Sequence, residues 1–143
     1  MFYKRMCYIG FLLTISSSLV GCGGSGLDTV RAGGVVTYKG QPVPKIAVAF
    51  MPKDGKGQIA EGTTDAEGKF ELQTREPGDG AMVGDYQVAF RYVPDEAPEM
   101  PGFPGAKEVV SPLPTKYADS LSSGVTATVD SDASKNVFDF ALD

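Results

Sequence analysis

The chain has 143 residues, of which 18 are Asp or Glu, 13 are Lys or Arg and none is His, so its formal net charge is −5. This acidic balance gives no electrostatic basis for binding nucleic acid. The lack of histidine excludes Ser-His-Asp and Cys-His catalysis and histidine-bound zinc, and no pair of carboxylates stands out for glycoside hydrolysis. We therefore expect no enzyme activity, no catalytic residue and no metal site.

Residues 1–21 have the pattern of a signal peptide that is removed. Lys4 and Arg5 precede an apolar stretch from Met6 to Ile15, which is shorter than the run of about 20 residues that a membrane-spanning helix needs. The stretch ends in Leu-Val-Gly-Cys at 19–22, which resembles the lipobox of bacterial lipoproteins. The resemblance implies cleavage before Cys22 and a covalent diacylglycerol or acyl lipid on its thiol, with no other cofactor. The alternative is an ordinary secretory signal in which Cys22 is incidental.

Lipidation of Cys22 would place the rest of the chain on a membrane of the cell envelope, facing the periplasm or the cell surface. Gly23 stands where Asp is a familiar inner-membrane retention signal, which favours the outer membrane. Because Cys7 would leave with the signal peptide, no free thiol would remain. Glycine-rich residues follow, so 22–32 are predicted to be a flexible tether, and 33–143 are predicted to form one domain with a formal charge of −7.

The predicted domain has period-two alternation of apolar residues and no convincing helix. Seven segments are predicted to be strands: 33–38, 46–51, 59–64, 69–73, 86–92, 125–129 and 137–142. The segment 86–92 has the clearest alternation and should be central, and the turn at 65–68 predicts a hairpin between 59–64 and 69–73. Seven short strands separated by turns predict an all-β, Ig-like antiparallel sandwich.

A proline-rich connection at 94–123 interrupts this regular spacing. Met100, Phe103 and Tyr117 are the candidates for a partner surface, because no sheet face is available in this connection to bury them. The alternative, which the residues leave open, is that these side chains fold back over an open end of the sheets.

Two further groups of residues have a functional and a structural interpretation. Tyr86, Phe90 and Tyr92 could form a platform for stacking sugars, although an aromatic stripe at strand spacing favours a core. Asp65 and Glu67 could contribute to a calcium loop, although two carboxylates are few for such a site and Asp commonly stabilises a turn.

Several segments resemble the carboxypeptidase regulatory-like domain: GVVTYKGQPVP at 34–44, VAFMP at 48–52, GTTDAEGKF at 62–70 and GDYQV at 84–88. PTKYA at 114–118 and SGVT at 123–126 are similar to a pattern in bacterial lipoprotein members. The resemblance implies a seven-stranded, transthyretin-like (prealbumin-like) sandwich. It also implies a non-catalytic module, since in carboxypeptidases this domain only accompanies the enzyme.

These observations support two hypotheses about function. The first is a non-catalytic, membrane-anchored module for contacts with a protein or with the envelope surface. The second is a carbohydrate-binding module of the cell envelope that uses exposed aromatic residues. In both cases the membrane is contacted through the lipid anchor, and no nucleic acid is involved.

Overall fold

A computed structural model of the chain describes residues 28–95 and 110–143. These residues form strands and two short 3₁₀ turns, Thr115–Ala118 and Ala133–Lys135, and they contain no α-helix. The all-β prediction is confirmed. The strands are β1 (Thr29–Val30), β2 (Gly33–Tyr38), β3 (Gln41–Pro42), β4 (Ile46–Pro52), β5 (Ala60–Thr63), β6 (Lys69–Glu71), β7 (Ala81–Met82), β8 (Gly84–Tyr92), β9 (Val125–Val129) and β10 (Val137–Leu142).

Each predicted segment overlaps one of the longer strands, although β4 and β8 extend one and two residues beyond their predicted segments, and the two-residue strands β1, β3 and β7 come in addition. The first sheet has the order β5-β4-β8-β9 with antiparallel pairing throughout, so β8 is an interior strand, as predicted. In the second sheet β2 pairs with β10 on one side and with β3 and β6 on the other. β1 and β7 form a separate two-stranded ribbon.

The pairing of β10 with β2 is parallel, which corrects the prediction of an antiparallel sandwich at this point. The register places Val137 opposite Gly33 and Leu142 opposite Tyr38. Parallel neighbours need a long crossover connection. Here residues 39–136 connect the two strands, and this connection contains all four strands of the first sheet.

The inner faces of the two sheets form one core. Ile46, Val48 and Phe50 of β4 are fully buried, as the alternation predicts. The ring of Phe50 lies 5.3 Å from that of Phe138, and the ring of Phe90 lies 5.2 Å from that of Phe140. Because these pairs join the first sheet to the second, the sheets pack face to face.

The predicted hairpin of β5 and β6 is wrong. β5 pairs with β4 and β6 pairs with β2, so the turn at 65–68 carries the chain from one sheet to the other. A single bridge, between Glu61 and Gln73, joins the two segments directly. The physical reason is that β4 supplies the backbone partners of β5 and β2 supplies those of β6, and a local turn signal does not determine such pairing between distant strands.

The predicted tether extends too far into the domain. Val30 pairs with Ala81 across β1 and β7. Ala32 is 8% exposed, and its carbonyl accepts a hydrogen bond from the amide of Leu72 at 2.9 Å. Residues 29–32 therefore belong to the folded domain, because their backbone groups have partners there. Cys22 and the tether at 22–27 lie outside the described residues.

Candidate binding site at one end of the sandwich

The two ends of the sandwich contain different strand ends and loops. One end, which we name the β1 end, contains β1 and the starts of β2, β8 and β10. The buried side chain of Asn136 joins the chain there: its Nδ2 donates to the carbonyl oxygens of Asp130 at 2.8 Å and Arg31 at 3.4 Å. Its Oδ1 accepts from the amide of Asp130 at 2.8 Å. The side-chain amide of Asn136 thus links β9, β10 and the segment that leads into β2.

The opposite end, which we name the cleft end, contains the ends of β2, β8 and β10 and the start of β4. The amide of Lys39 donates to the carbonyl of Leu142 at 3.0 Å, and the amide of Val93 donates to the carbonyl of Lys45 at 2.8 Å. β8 runs from one end to the other over nine residues, which corresponds to about 30 Å at about 3.3 Å per residue.

An open cleft of about 510 Å³ lies at the cleft end. β2 stops at Tyr38 because Lys39 and Gly40, with φ of 50° and 79°, turn the chain back into β3. The half-buried Tyr38 and Tyr92 come to the cleft from different sheets. Most of its other lining residues are apolar; the full set is Tyr38, Gln41, Pro42, Val43, Pro44, Lys45, Tyr92, Val110, Ser111 and Pro112.

Proline and lysine determine the chemistry of this cleft. Proline has no amide hydrogen, so Pro42, Pro44 and Pro112 offer no backbone donor to a ligand. Lys45 forms an ion pair with Asp95, and the hydrogen bond that its Nζ donates to that carboxylate raises the pKa of the lysine. Lys39 has its Nζ 5.1 Å from the centroid of the Tyr38 ring, and no carboxylate in 28–95 or 110–143 lies within 4.0 Å of it.

The second half of the proline-rich connection packs onto the core beside the cleft. Leu113 is 4% exposed and Tyr117 is 5% exposed. The Tyr117 ring lies edge-on to Phe90 at 6.2 Å. Its hydroxyl accepts from the amide of Asp143 at 3.1 Å and donates to the carbonyl of the same residue at 3.2 Å.

The burial of Tyr117 corrects its assignment to an exposed partner surface. The 3₁₀ turn Thr115–Ala118 directs this side chain inward, so it covers the open end of the sheets, which is the alternative that the sequence left open. Met100 and Phe103 lie outside the described residues, and their assignment stays a prediction.

The aromatic stripe of β8 divides between the core and the cleft. Tyr86 is 2% exposed and Phe90 is 1% exposed, which confirms the structural interpretation for these two residues. Tyr92, at the end of the strand, is half-buried and lines the cleft. Tyr38 is a lining residue that is not among the sequence-predicted candidates, although it has the same inward parity as Val36 and stands directly before the turn that ends β2.

Asp65 has a structural role in the turn between β5 and β6. Its Oδ1 accepts hydrogen bonds from the amides of Glu67 at 3.0 Å and Lys69 at 2.8 Å. The turn interpretation is therefore confirmed. Within 28–95 and 110–143 no three Asp, Glu, His or Cys side chains lie close enough together to hold a metal ion.

Two smaller clefts lie near the β1 end. One, of about 460 Å³, is lined by residues that include Arg31, Glu71 and Asn136. The other, of about 400 Å³, is lined by residues that include Lys53, Asp54 and Tyr86. The polar groups of Asn136 are already used within the chain, and so is the Tyr86 hydroxyl, which donates to the carbonyl of Met82 at 2.8 Å. Neither cleft matches the aromatic lining of the cleft end.

In the described part of the chain no helix is long and apolar enough to cross a membrane. Comparisons with known protein families, with curated proteins and with solved structures find no match to this chain.

Proposed function

We propose that this protein is a non-catalytic lipoprotein of the cell envelope, anchored through lipid on Cys22, that holds a partner at the cleft end of its β-sandwich. The observation that carries the proposal is the separation of the two ends. The chain enters the sandwich at Thr29, at the β1 end, whereas the Tyr38–Tyr92 cleft lies at the other end of β8.

This arrangement would direct the cleft away from the membrane. Five residues lie between Cys22 and Asp28, and the six Cα–Cα steps from one to the other span at most about 20 Å. The β1 end would therefore stay close to the lipid surface, and the cleft would stand about 30 Å further out, the length of β8. The outer membrane is the favoured location because Gly23 follows the lipidated cysteine.

Within this proposal the domain is a carboxypeptidase regulatory-like sandwich of the transthyretin type. Support comes from the face-to-face sheets, in which the longer strands divide into β5-β4-β8-β9 and β6-β2-β10. The quoted segments at 34–44 and 62–70 cover β2 and the turn between β5 and β6, where the chain changes sheet. In carboxypeptidases such a domain is a non-catalytic companion of the enzyme, which agrees with a binding or structural role.

The anchor is tested by substitution of each cysteine. With Cys22→Ala we expect no incorporation of an alkyne-tagged fatty acid and retention of the signal peptide, because the modified thiol is absent. Cys7→Ala is the matched control and should be labelled and processed like the unaltered protein. In-gel fluorescence and intact mass measure both outcomes. Fatty-acid labelling that persists in Cys22→Ala would contradict the proposal.

The partner-binding end is tested by photo-crosslinking in intact cells. A photoreactive amino acid at position 39 lies beside the cleft, whereas the same residue at position 56 lies in the loop after β4, at the β1 end. We expect a discrete crosslinked envelope component from position 39 and none from position 56. Equal crosslinking from both positions would remove the cleft end as the binding surface.

A carbohydrate-binding module is the second candidate. Burial removes Tyr86 and Phe90 from any sugar platform, and the half-buried Tyr38 and Tyr92 are the observation that still favours this candidate. A glycan array probed with the detergent-purified chain tests it. Binding that Tyr92→Ala abolishes would support a sugar ligand, and an empty array would leave the protein partner as the better explanation.

A further inference from the structure

We infer that Asp54–Gly55, in the exposed loop after β4, is a site of spontaneous isomerisation of aspartate to isoaspartate, and that the fold protects Asp79–Gly80 from the same reaction. These are the two places in the chain where glycine follows aspartate. Glycine has no Cβ to hinder attack by its amide nitrogen on the neighbouring carboxyl group, so the sequence alone makes both pairs reactive. The inference is independent of the proposed function.

The reaction needs only water. The amide nitrogen of Gly55 attacks Cγ of the protonated Asp54 carboxyl group; a C–N bond forms and the Cγ–O bond breaks, so the amide proton and the hydroxyl group leave as water. Water then opens the succinimide ring. If it adds to the main-chain carbonyl carbon of Asp54, that C–N bond breaks and the chain continues through the side chain as isoaspartate; if it adds to Cγ, aspartate returns. Nothing is oxidised or reduced.

The loop after β4 leaves the first pair open to this reaction. Asp54, Gly55 and Lys56 are exposed, and a Cβ atom added to Gly55 would have no atom within 4 Å apart from its chain neighbours. The Oδ1 of Asp54 accepts from the amide of Lys56 at 3.0 Å, which turns the carboxyl group toward the backbone that follows it. The amide of Gly55 donates to the carbonyl of Pro52 at 3.3 Å, which is long for such a bond. One weak local contact therefore holds the attacking nitrogen.

The second pair is fixed by the folded domain. Gly80 is buried, and its amide donates to the carbonyl of Leu72 at 3.1 Å. A Cβ atom added to Gly80 would overlap the carbonyl oxygen of Val30, so β1 packs directly against this glycine. Ring closure at Asp79 would have to move the backbone of Gly80, and this movement would break its contacts with two other segments.

The charge of Asp79 opposes the reaction as well. Its carboxylate accepts from the amides of Thr74, Arg75 and Glu76. Although burial raises it, four backbone amides hold the pKa of Asp79 below its ordinary value of 3.8. The ionised carboxylate is the unreactive form, because its oxygen cannot leave as water without a proton. Asp54 accepts from a single backbone amide in the described part of the chain.

Isoaspartate at position 54 would alter the β1 end of the sandwich. The main chain between β4 and β5 would gain one methylene group, and the carboxylate that accepts from Lys56 would move onto the backbone. This loop lines the cleft of about 400 Å³ that also includes Lys53 and Tyr86. The Tyr38–Tyr92 cleft lies at the other end of β8, so its geometry should not change.

The test follows the full chain, purified in detergent and kept warm near neutral pH. Peptide mapping with electron-transfer dissociation distinguishes isoaspartate from aspartate at each position. We expect isoaspartate to form at position 54 at least about tenfold faster than at position 79, where a buried amide and a carboxylate must first give up their hydrogen bonds. Absence of isoaspartate at position 54, or equal rates at the two positions, would overturn the inference.

Unfolding separates protection by the fold from the effect of neighbouring residues. In concentrated guanidinium chloride both pairs should react at similar rates, because the contacts of Gly80 and Asp79 are lost. A difference between the two positions that is as large in the unfolded chain as in the folded one would show that the fold protects nothing.

Two variants check the assignment to position 54. Asp54→Glu keeps the charge but would have to close a larger, more slowly formed ring, so most of the isoaspartate measured by an isoaspartyl methyltransferase assay should disappear. Asp28→Glu, at an exposed aspartate that threonine follows, is the matched control and should leave the total unaltered. Isoaspartate that persists in Asp54→Glu at the level of the unaltered protein would place the reaction elsewhere and contradict the inference.

Discussion

Single polar side chains hold the loops of this sandwich to its strands. The buried Thr64 hydroxyl donates to the carbonyl of Val43 at 2.7 Å and accepts from the amide of Ile46 at 2.8 Å. In this way it fixes the short connection that carries the chain from β3 to β4, directly beneath the cleft. Asn136 has the corresponding role at the β1 end. Leaving such buried backbone groups without a partner costs about 1–3 kcal/mol each, so these residues position both ends of the domain.

Asp79 organises the loop between β6 and β7 through its charge. Its carboxylate accepts from the amides of Thr74 at 2.6 Å, Arg75 at 3.0 Å and Glu76 at 3.1 Å. Burial alone would raise the pKa of this carboxyl, but these three amides and the amide of Asp79 itself outweigh it and hold the pKa below its ordinary value of 3.8. The charged form is therefore the one that the fold stabilises.

The depressed pKa of Asp79 predicts a loss of stability in acid. Because the folded-state pKa lies below the unfolded one, the contribution is complete above the ordinary value of 3.8 and is lost as the pH falls through the folded-state pKa. Asp79→Asn should lower the free energy of unfolding at pH 7 by about 1 kcal/mol and reduce its fall below about pH 4. Urea unfolding of the variant and of the unaltered protein, at pH 7 and below about pH 4, measures both effects.

Asp54→Asn is the control for this pH dependence. Asp54 is exposed and accepts from one backbone amide, that of Lys56, at 3.0 Å. We expect its unfolding curve to follow that of the unaltered protein at each pH. The same pH slope in Asp79→Asn and in the unaltered protein would show that the loop carboxylate contributes nothing.

At the scale of elements, the contact between β5 and β6 closes one side of the sandwich. Glu61 and Gln73 exchange two backbone hydrogen bonds of 2.9 Å. Gly62 lies beside this bridge, where a Cβ atom would overlap the carbonyl oxygen of Glu71. Glycine at this position thus permits strands of different sheets to approach each other.

Gly62→Ala should therefore destabilise the domain, although its backbone stays in the strand region. Overpacking against a fixed carbonyl costs about 1–3 kcal/mol. The neighbouring Thr63→Ala, on the exposed side of β5, should stay within about 0.5 kcal/mol. Thermal unfolding of the two variants, followed by far-UV circular dichroism, compares them. Equal melting temperatures would mean that the strands can separate at this point without cost.

At the scale of the whole molecule, part of the proline-rich connection belongs to the core. Leu113 and Tyr117 join the same apolar cluster as Phe90 and Phe140. Residues 110–123 therefore complete the fold at the cleft end. A variant that is meant to remove the partner-binding surface has to leave this part of the connection in place.

Two leucines of this connection provide a matched comparison. Leu113 is 4% exposed, whereas Leu121 is 77% exposed. We expect Leu113→Ala to lower the free energy of unfolding by about 2–5 kcal/mol, because it leaves a cavity in the core. Leu121→Ala should change it by less than about 0.5 kcal/mol. Chemical denaturation measures both values, and similar costs would contradict the assignment of Leu113 to the core.

Alternation along the chain was enough to locate the longer strands and most of their inward residues. Ile46, Val48 and Phe50 on β4, and Tyr86, Val88 and Phe90 on β8, are buried as their parity predicts. The reason is that a strand buried on one face needs an apolar residue at every second position, and this alternation is visible in the sequence. Asp65 and Gly68 likewise marked their turn through the local chemistry of Asp and Gly.

Which strands pair, and what the connections cover, was decided by tertiary structure. The alternation in 59–64 and 69–73 is the same whether the two strands form a hairpin or face each other across the core, so it could not separate these outcomes. The parallel pairing of β10 with β2 depends on residues about a hundred positions apart. Tyr117 is buried because Phe90 and Asp143 come to it from distant parts of the chain. For the same reason the Tyr38–Tyr92 cleft could not be predicted before both sheets were assembled. The sequence determines the local alternation of apolar residues, whereas contacts between distant strands determine the site.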